Sequence, residues 1–144
     1  MSELLDRGAA EACILVLDGD PGLGKTTEAE WWAVQNNALF VRAKTKWTEA
    51  WMLREILETL NVTPQYSYER MYKQALEVLG ARASMADTED ATFAVVVDEI
   101  DHIVRSDKMI NTLRDLSDML EIPFVFVGVD RVGATLARNK ATAS

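Results

Sequence analysis

The stretch GDPGLGKTTEAEWW, residues 19–32, decides how this chain is read. Three glycines and a lysine occupy a short turn that follows an apolar run, CILVL at residues 13–17, and leads into a helical pattern. The segment from Gly19 to Thr26 fits G-x-x-x-x-G-K-[ST] in full, in the strand, turn and helix setting that the pattern's mechanism requires. Glycines permit positive φ and let backbone N–H groups approach phosphate oxygens. A helix beginning near Gly24 aims its unpaired amides and positive dipole end at the same anion. Gly19, Asp20, Pro21, Gly22, Leu23, Gly24, Lys25, Thr26 and Thr27 are therefore the expected phosphate loop, a Walker A motif. Lys25 would place a fixed charge at the β- and γ-phosphates of ATP, and Thr26 would offer its hydroxyl to Mg²⁺. The alternative, a glycine-rich turn that only joins strand to helix, leaves the Lys25-Thr26 pair unexplained.

A second motif completes such a site. FAVVVDEIDH, residues 93–102, reads as a buried strand closed by two adjacent acids. A parallel strand of this kind carries the chain to the C-terminal edge of a sheet, where ligands of open α/β folds bind. Asp98 is then the expected Walker B magnesium acid, and Glu99 can polarise a water in line with the γ-phosphate. The alternative for both is an ordinary solvated strand end. Asp101 and His102 read more simply as local capping or packing groups. Trp31 and Trp32, behind the phosphate loop, read as helix-face packing rather than base stacking.

Outward from these motifs the chain alternates strands with helices. Residues 38–41 form a second, weaker apolar run, and residues 124–128, FVFVG, a fourth. Leu53, Ile56, Leu57 and Leu60 recur at helical spacing, as do Tyr72, Ala75, Leu76 and Leu79, with a turn around Pro64 between them. SMADTED, residues 84–90, has turn and charge character. Ser106 can cap a helix carrying Ile110, Leu113, Leu116 and Leu120, and a short helix is expected over about residues 131–138. The pattern implies an α/β fold with a parallel sheet and helices on both faces. With 144 residues, 49% of them hydrophobic, residues 1–144 suit one domain with a real core. The longest apolar runs fall far short of the roughly 20 residues a membrane span needs, and the N-terminus lacks a signal pattern, so a cytoplasmic protein with no membrane partner is expected. Cys13, the lone cysteine, reads as a buried strand residue. A formal charge of −8 repels polyphosphate chains unless basic residues gather on one face.

Taken together, GDPGLGKTTEAEW followed by QNNALFVRAKT, then VVVDEIDHI and FVFVGVDRV, resemble the AAA+ ATPases. Within them the chain is most similar to the transposition-regulator group typified by the B protein of phage Mu and related transposon ATPase subunits. The resemblance runs from about Ile14 to Arg131. It implies a P-loop NTPase three-layer sandwich with strand order 5-1-4-3-2 and ATP-driven assembly into rings or filaments on duplex DNA. It also implies delivery of a transposase to target sites. By position it makes Glu99 and Lys25 the catalytic pair, makes Thr26 and Asp98 the metal-side residues, and puts Lys44, Lys46 and Trp47 in the region that faces DNA. Arg42, Lys44 and Lys46 alternate, so an extended segment would show all three on one side; a solvated strand end is the plainer alternative.

Two departures bear on activity. Relatives commonly place a polar residue after the glycine that ends the fourth strand, whereas Gly128 is followed by Val129, with Asp130 one position further on. The sequence stops at RNKATAS, before the fifth strand, lid and trans-acting arginines that the resemblance implies. The expected entity is thus an incomplete ATP-binding and ATP-hydrolysing core whose first strand becomes a sheet edge. Two other readings stay open: a nucleotide-sensing scaffold with negligible turnover, and a small-molecule kinase. A kinase needs an arginine-bearing lid, and SMADTED is the sole candidate for one.

Overall fold

The computed structural model describes residues 14–17, 25–129 and 135–136. Among the described residues four strands, β1 (Ile14–Leu17), β2 (Leu39–Arg42), β3 (Val95–Asp98) and β4 (Phe124–Val127), lie parallel in the order β1-β4-β3-β2. This is the expected α/β architecture, and among the described residues β1 is an edge strand. Helices α1 (Lys25–Gln35), α2 (Glu49–Thr59), α3 (Tyr68–Thr88) and α4 (Asp107–Leu120) connect the strands, with one 3-10 turn at Ile100–His102. Thr135 and Leu136 are helical; the rest of the short helix expected over residues 131–138 lies outside the described residues, as does Cys13.

Strand alternation divides the core into two layers. Leu39, Val41, Val95, Val97, Phe124 and Phe126 pack on one side with α2, α3 and α4. Val96, Val125 and Val127 face the other side, where they meet Ala29, Trp32 and Ala33 of α1. Those three recur at i, i+3 and i+4, and the two alanines let the helix backbone approach the sheet closely. Burying a side chain such as Phe126 contributes about 1.5–3 kcal/mol. Trp32 is thus the packing tryptophan that was expected, whereas Trp31, one position round the helix, is 60% exposed.

Ser106 caps α4 as expected, its Oγ accepting from Met109 N at 3.3 Å. Thr48 and Ser67 do the same for α2 and α3. Each such cap contributes about 1 kcal/mol. The turn expected at SMADTED is a correction: Ser84 to Thr88 form the last turn of α3. Ala83, Met85 and Ala86 are good helix formers, and the polar residues among them point to solvent, so propensity and exposure agree on helix where composition alone indicated a loop. The helix ends at Thr88, and Asp90, two residues on, adopts φ 56°.

Left-handed non-glycine residues follow all four helices: Asn37, Asn61, Asp90 and Glu121, with φ from 53° to 61°. Asn and Asp tolerate this region, while Glu121 is held there at a cost of about 1 kcal/mol. None of the four helices has a basic residue in its last turn.

Candidate functional site

Strand register sets the site's geometry. Leu17 pairs with Val127, and Val97 pairs with Phe126, so Asp98 ends β3 at the level where Leu17 ends β1. Only β4 separates the two, a span of about 10 Å at the usual interstrand spacing. The chain leaves β1 at that level and returns at Lys25, the first residue of α1. Because α1 packs through Ala29, Trp32 and Ala33 over β3 and β4, its N-terminus lies at the same sheet edge as Asp98. The first-turn amides and the positive end of the helix dipole therefore face the C-terminal edge. Thr26 is half-buried there, and Thr27 is exposed. Gly19, Asp20, Pro21, Gly22, Leu23 and Gly24, the turn itself, lie outside the described residues.

Asp98 is almost wholly buried, at 1% exposure. Its Oδ2 has no hydrogen-bond partner among the described residues. Arg42 Nε stands 3.5 Å from that oxygen, an ion pair whose guanidinium is half-exposed. A buried carboxylate oxygen that lacks a hydrogen bond is costly unless it is paired or coordinates a metal. The described residues contain no cluster of three or more metal-ligating side chains. Mg²⁺ does not require one, since it is commonly held by one or two carboxylates together with substrate phosphates and water. The donor set around Asp98 fits that ion.

Glu99 departs from ordinary strand geometry. It takes φ 54° and ψ 39°, the left-handed region, and so turns the chain sharply out of the sheet into the 3-10 turn. Such a conformation costs a non-glycine residue about 1–3 kcal/mol and gathers at functional sites. The carboxylate is 45% exposed and lies 4.0 Å from the same Arg42 Nε. Arg42 thus bridges both acids while its guanidinium sits 5.9 Å from the Phe40 ring centroid. Sequence reading placed Arg42 in a basic stripe and missed this pairing. The available signal was register, since Arg42 ends β2 directly opposite Asp98.

The basic stripe does not form. β2 ends at Arg42, and Ala43 N donates to Asp98 O at 2.8 Å before the chain turns, with Trp47 N donating to Lys44 O at 3.0 Å. Lys44 pairs with Glu55 of α2 and lies 5.9 Å from the Trp47 ring centroid. Lys46 is exposed at the turn. Trp47, expected in the DNA-facing region, is 4% exposed and belongs to the core, so its ring has no face to offer DNA. The physical reason is that a turn, unlike an extended segment, folds this apolar ring back into the core. Asp101 and His102 lie 3.8 Å apart, a local pair as expected. Val129 is half-buried beyond β4, and Asp130 lies outside the described residues.

Comparison with known proteins bears on this geometry. A family model described as an AAA domain matches residues 9–136. No match was found among curated protein sequences. Among solved structures, the Aeropyrum pernix ORC2 protein, in ADPNP-ADP complexes, matches with TM-score 0.60 and 18% identity over 98% of this chain and 42% of its own. The Aeropyrum pernix ORC1 protein, in complex with DNA, matches with TM-score 0.62 and 18% identity over 94% of this chain and 41% of its own. The chain therefore spans about two fifths of the length of these structures. At this identity they share its fold.

Proposed function

The chain belongs to the AAA domain family, and we propose that it is an ATP-binding and ATP-hydrolysing core whose nucleotide state controls self-assembly and DNA binding in transposition. The observation that carries the ATP reading is the common sheet edge of the α1 N-terminus and the buried Asp98 Oδ2, which is ion-paired to Arg42 but has no hydrogen-bond partner among the described residues. Residues 19–27 hold the phosphates through backbone amides and Lys25, and Thr26 and Asp98 hold Mg²⁺. When bound, that ion neutralises charge across the β- and γ-phosphates. Glu99, exposed at the same edge, orients the attacking water. Arg42 keeps both acids oriented until substrate arrives. The structural neighbours carrying ADPNP and ADP in one case and DNA in the other support nucleotide and DNA as ligands. The transposition setting, with assembly into rings or filaments and a transposase partner, rests on the resemblance of the sequence motifs.

A scaffold that binds ATP with negligible turnover is the second reading. Val129 favours it, because valine offers no polar group for the attacking water. The kinase reading loses its one candidate lid, since Ser84 to Thr88 finish α3 just before β3 begins, at the sheet edge opposite Asp98. Sedimentation of the chain with duplex DNA, in ATP and in ADP, tests the proposal. ATP-dependent co-sedimentation supports it; equal sedimentation in the two nucleotides, or none, removes the DNA part.

A further inference from the structure

The end of the molecule opposite the nucleotide edge has a chemistry of its own. α1, α3 and α4 each end just before a strand begins, at Leu39, Val95 and Phe124 respectively. Thr59 and Leu60, at the end of α2, line the same groove as Leu39 and Phe93, so all four helix C-termini gather at the N-terminal edge of the sheet. Two grooves of about 540 and 440 Å³ open there and meet at Ala91, Thr92 and Phe93. The first runs between α1 and α3 past Val34, Phe40 and Met85. The second runs between α3 and α4 past Met119 and Leu120. Val34, Met85 and Met119 are 70%, 63% and 64% exposed. Exposed apolar groups gathered along grooves mark interaction surfaces, and methionine adapts its shape to what it meets.

The rim of these grooves is acidic. Glu58, Asp87, Glu89, Asp90, Asp118 and Glu121 are all exposed in or just beyond the last turns of α2, α3 and α4. Arg82, earlier in α3, is the one base among the described residues lining the grooves. The negative ends of four helix dipoles point the same way, and no basic residue in a last turn offsets them. We propose that this end docks a cationic peptide segment of a partner protein, its apolar side chains seated in the grooves flanking α3 and its Lys or Arg side chains against the acidic rim. Like charge excludes the other occupants: nucleic acid is repelled by the rim, and a second copy would bring the same acids face to face. Because the face lies across the sheet from Asp98, a docked segment leaves the nucleotide edge open.

The test is an NMR titration of the ¹⁵N-labelled full chain with a synthetic peptide of about a dozen alternating Lys and Leu residues, and with a control in which Ser replaces Leu. Amide shifts confined to residues 33–40, 58–60, 82–93 and 117–122 are expected, with the Ser peptide weaker by about tenfold or more. Asp87→Lys/Glu89→Lys should lower affinity by a similar factor, and Met85→Ser by about threefold, with circular dichroism unchanged. The proposal is overturned if the shifts centre on the edge around Asp98, if charge reversal leaves affinity intact, or if the Ser peptide binds as well as the Leu peptide. Self-association of the chain through Met85 in sedimentation would also overturn it.

Discussion

Replacing Arg42 by alanine should expose the cost of the buried acid it faces. The ion pair measures 3.5 Å, and Asp98 is 1% exposed. At an effective dielectric near 20, charges at that distance attract by about 5 kcal/mol, an upper bound for the pair. The guanidinium is half-exposed, so water screens much of this, and a net loss of about 1–3 kcal/mol is expected when Asp98 is left unpaired. For a chain of this size that corresponds to a fall in melting temperature of about 3–10 °C. Urea unfolding followed by circular dichroism, without nucleotide, gives the values for Arg42→Ala, Asp98→Asn and the double variant. Asp98→Asn removes the buried charge and should leave stability unchanged or raised. The double variant should then lie within about 0.5 kcal/mol of Asp98→Asn alone. Saturating Mg·ATP should shrink the Arg42→Ala deficit by about 1 kcal/mol or more, because the divalent ion supplies the positive charge that Asp98 has lost. Additive effects of the two substitutions, or a deficit that Mg·ATP leaves unchanged, would refute the reasoning.

Three further outcomes follow from the site and core. Glu99→Gly should raise stability by about 1 kcal/mol, since glycine adopts φ 54° without strain, while both Glu99→Gly and Glu99→Gln abolish phosphate release but keep ATP binding; a Glu99→Gln chain that still releases phosphate would remove Glu99 from catalysis. Val129→Asn should increase phosphate release by about tenfold if the missing polar group limits turnover, and an unchanged rate would locate the limit elsewhere. Burial, then Asp115 and Tyr68, push the Tyr72 hydroxyl above the ordinary tyrosine value. The unfolded chain therefore releases that proton first, and stability is lost as pH rises from the ordinary value through the folded one. Urea midpoints at about pH 9 and 11 should consequently fall further for the parent than for Tyr72→Phe.

Much of this was legible in the residues because several signals agreed. FAVVVD and FVFVG could only be buried strands, and both became central strands of the described sheet. Pro64 and Ser106 marked a helix break and a cap that the backbone obeys. What failed was local composition read without its tertiary setting. SMADTED is polar enough for a loop, yet it finishes a helix whose buried stripe began at Met71. Alternation of Arg42, Lys44 and Lys46 promised a stripe only while the segment stayed extended, and β2 ends at Arg42. The Arg42 bridge to Asp98 and Glu99 depends on register between strands more than 50 residues apart, which no local pattern encodes. Glu99 likewise gave no sign of its left-handed backbone, since glutamate is uncommon there.

ATP binding and hydrolysis both require one nucleotide held between the loop of residues 19–27 and Asp98. Isothermal titration calorimetry of ATP, with and without Mg²⁺, on the parent, Lys25→Ala and Asp98→Asn chains tests it directly. Lys25→Ala should weaken binding by about tenfold or more under both conditions, and Asp98→Asn should remove only the part of the affinity that Mg²⁺ adds. Unaltered binding by Lys25→Ala, or an undiminished Mg²⁺ contribution in Asp98→Asn, would contradict it.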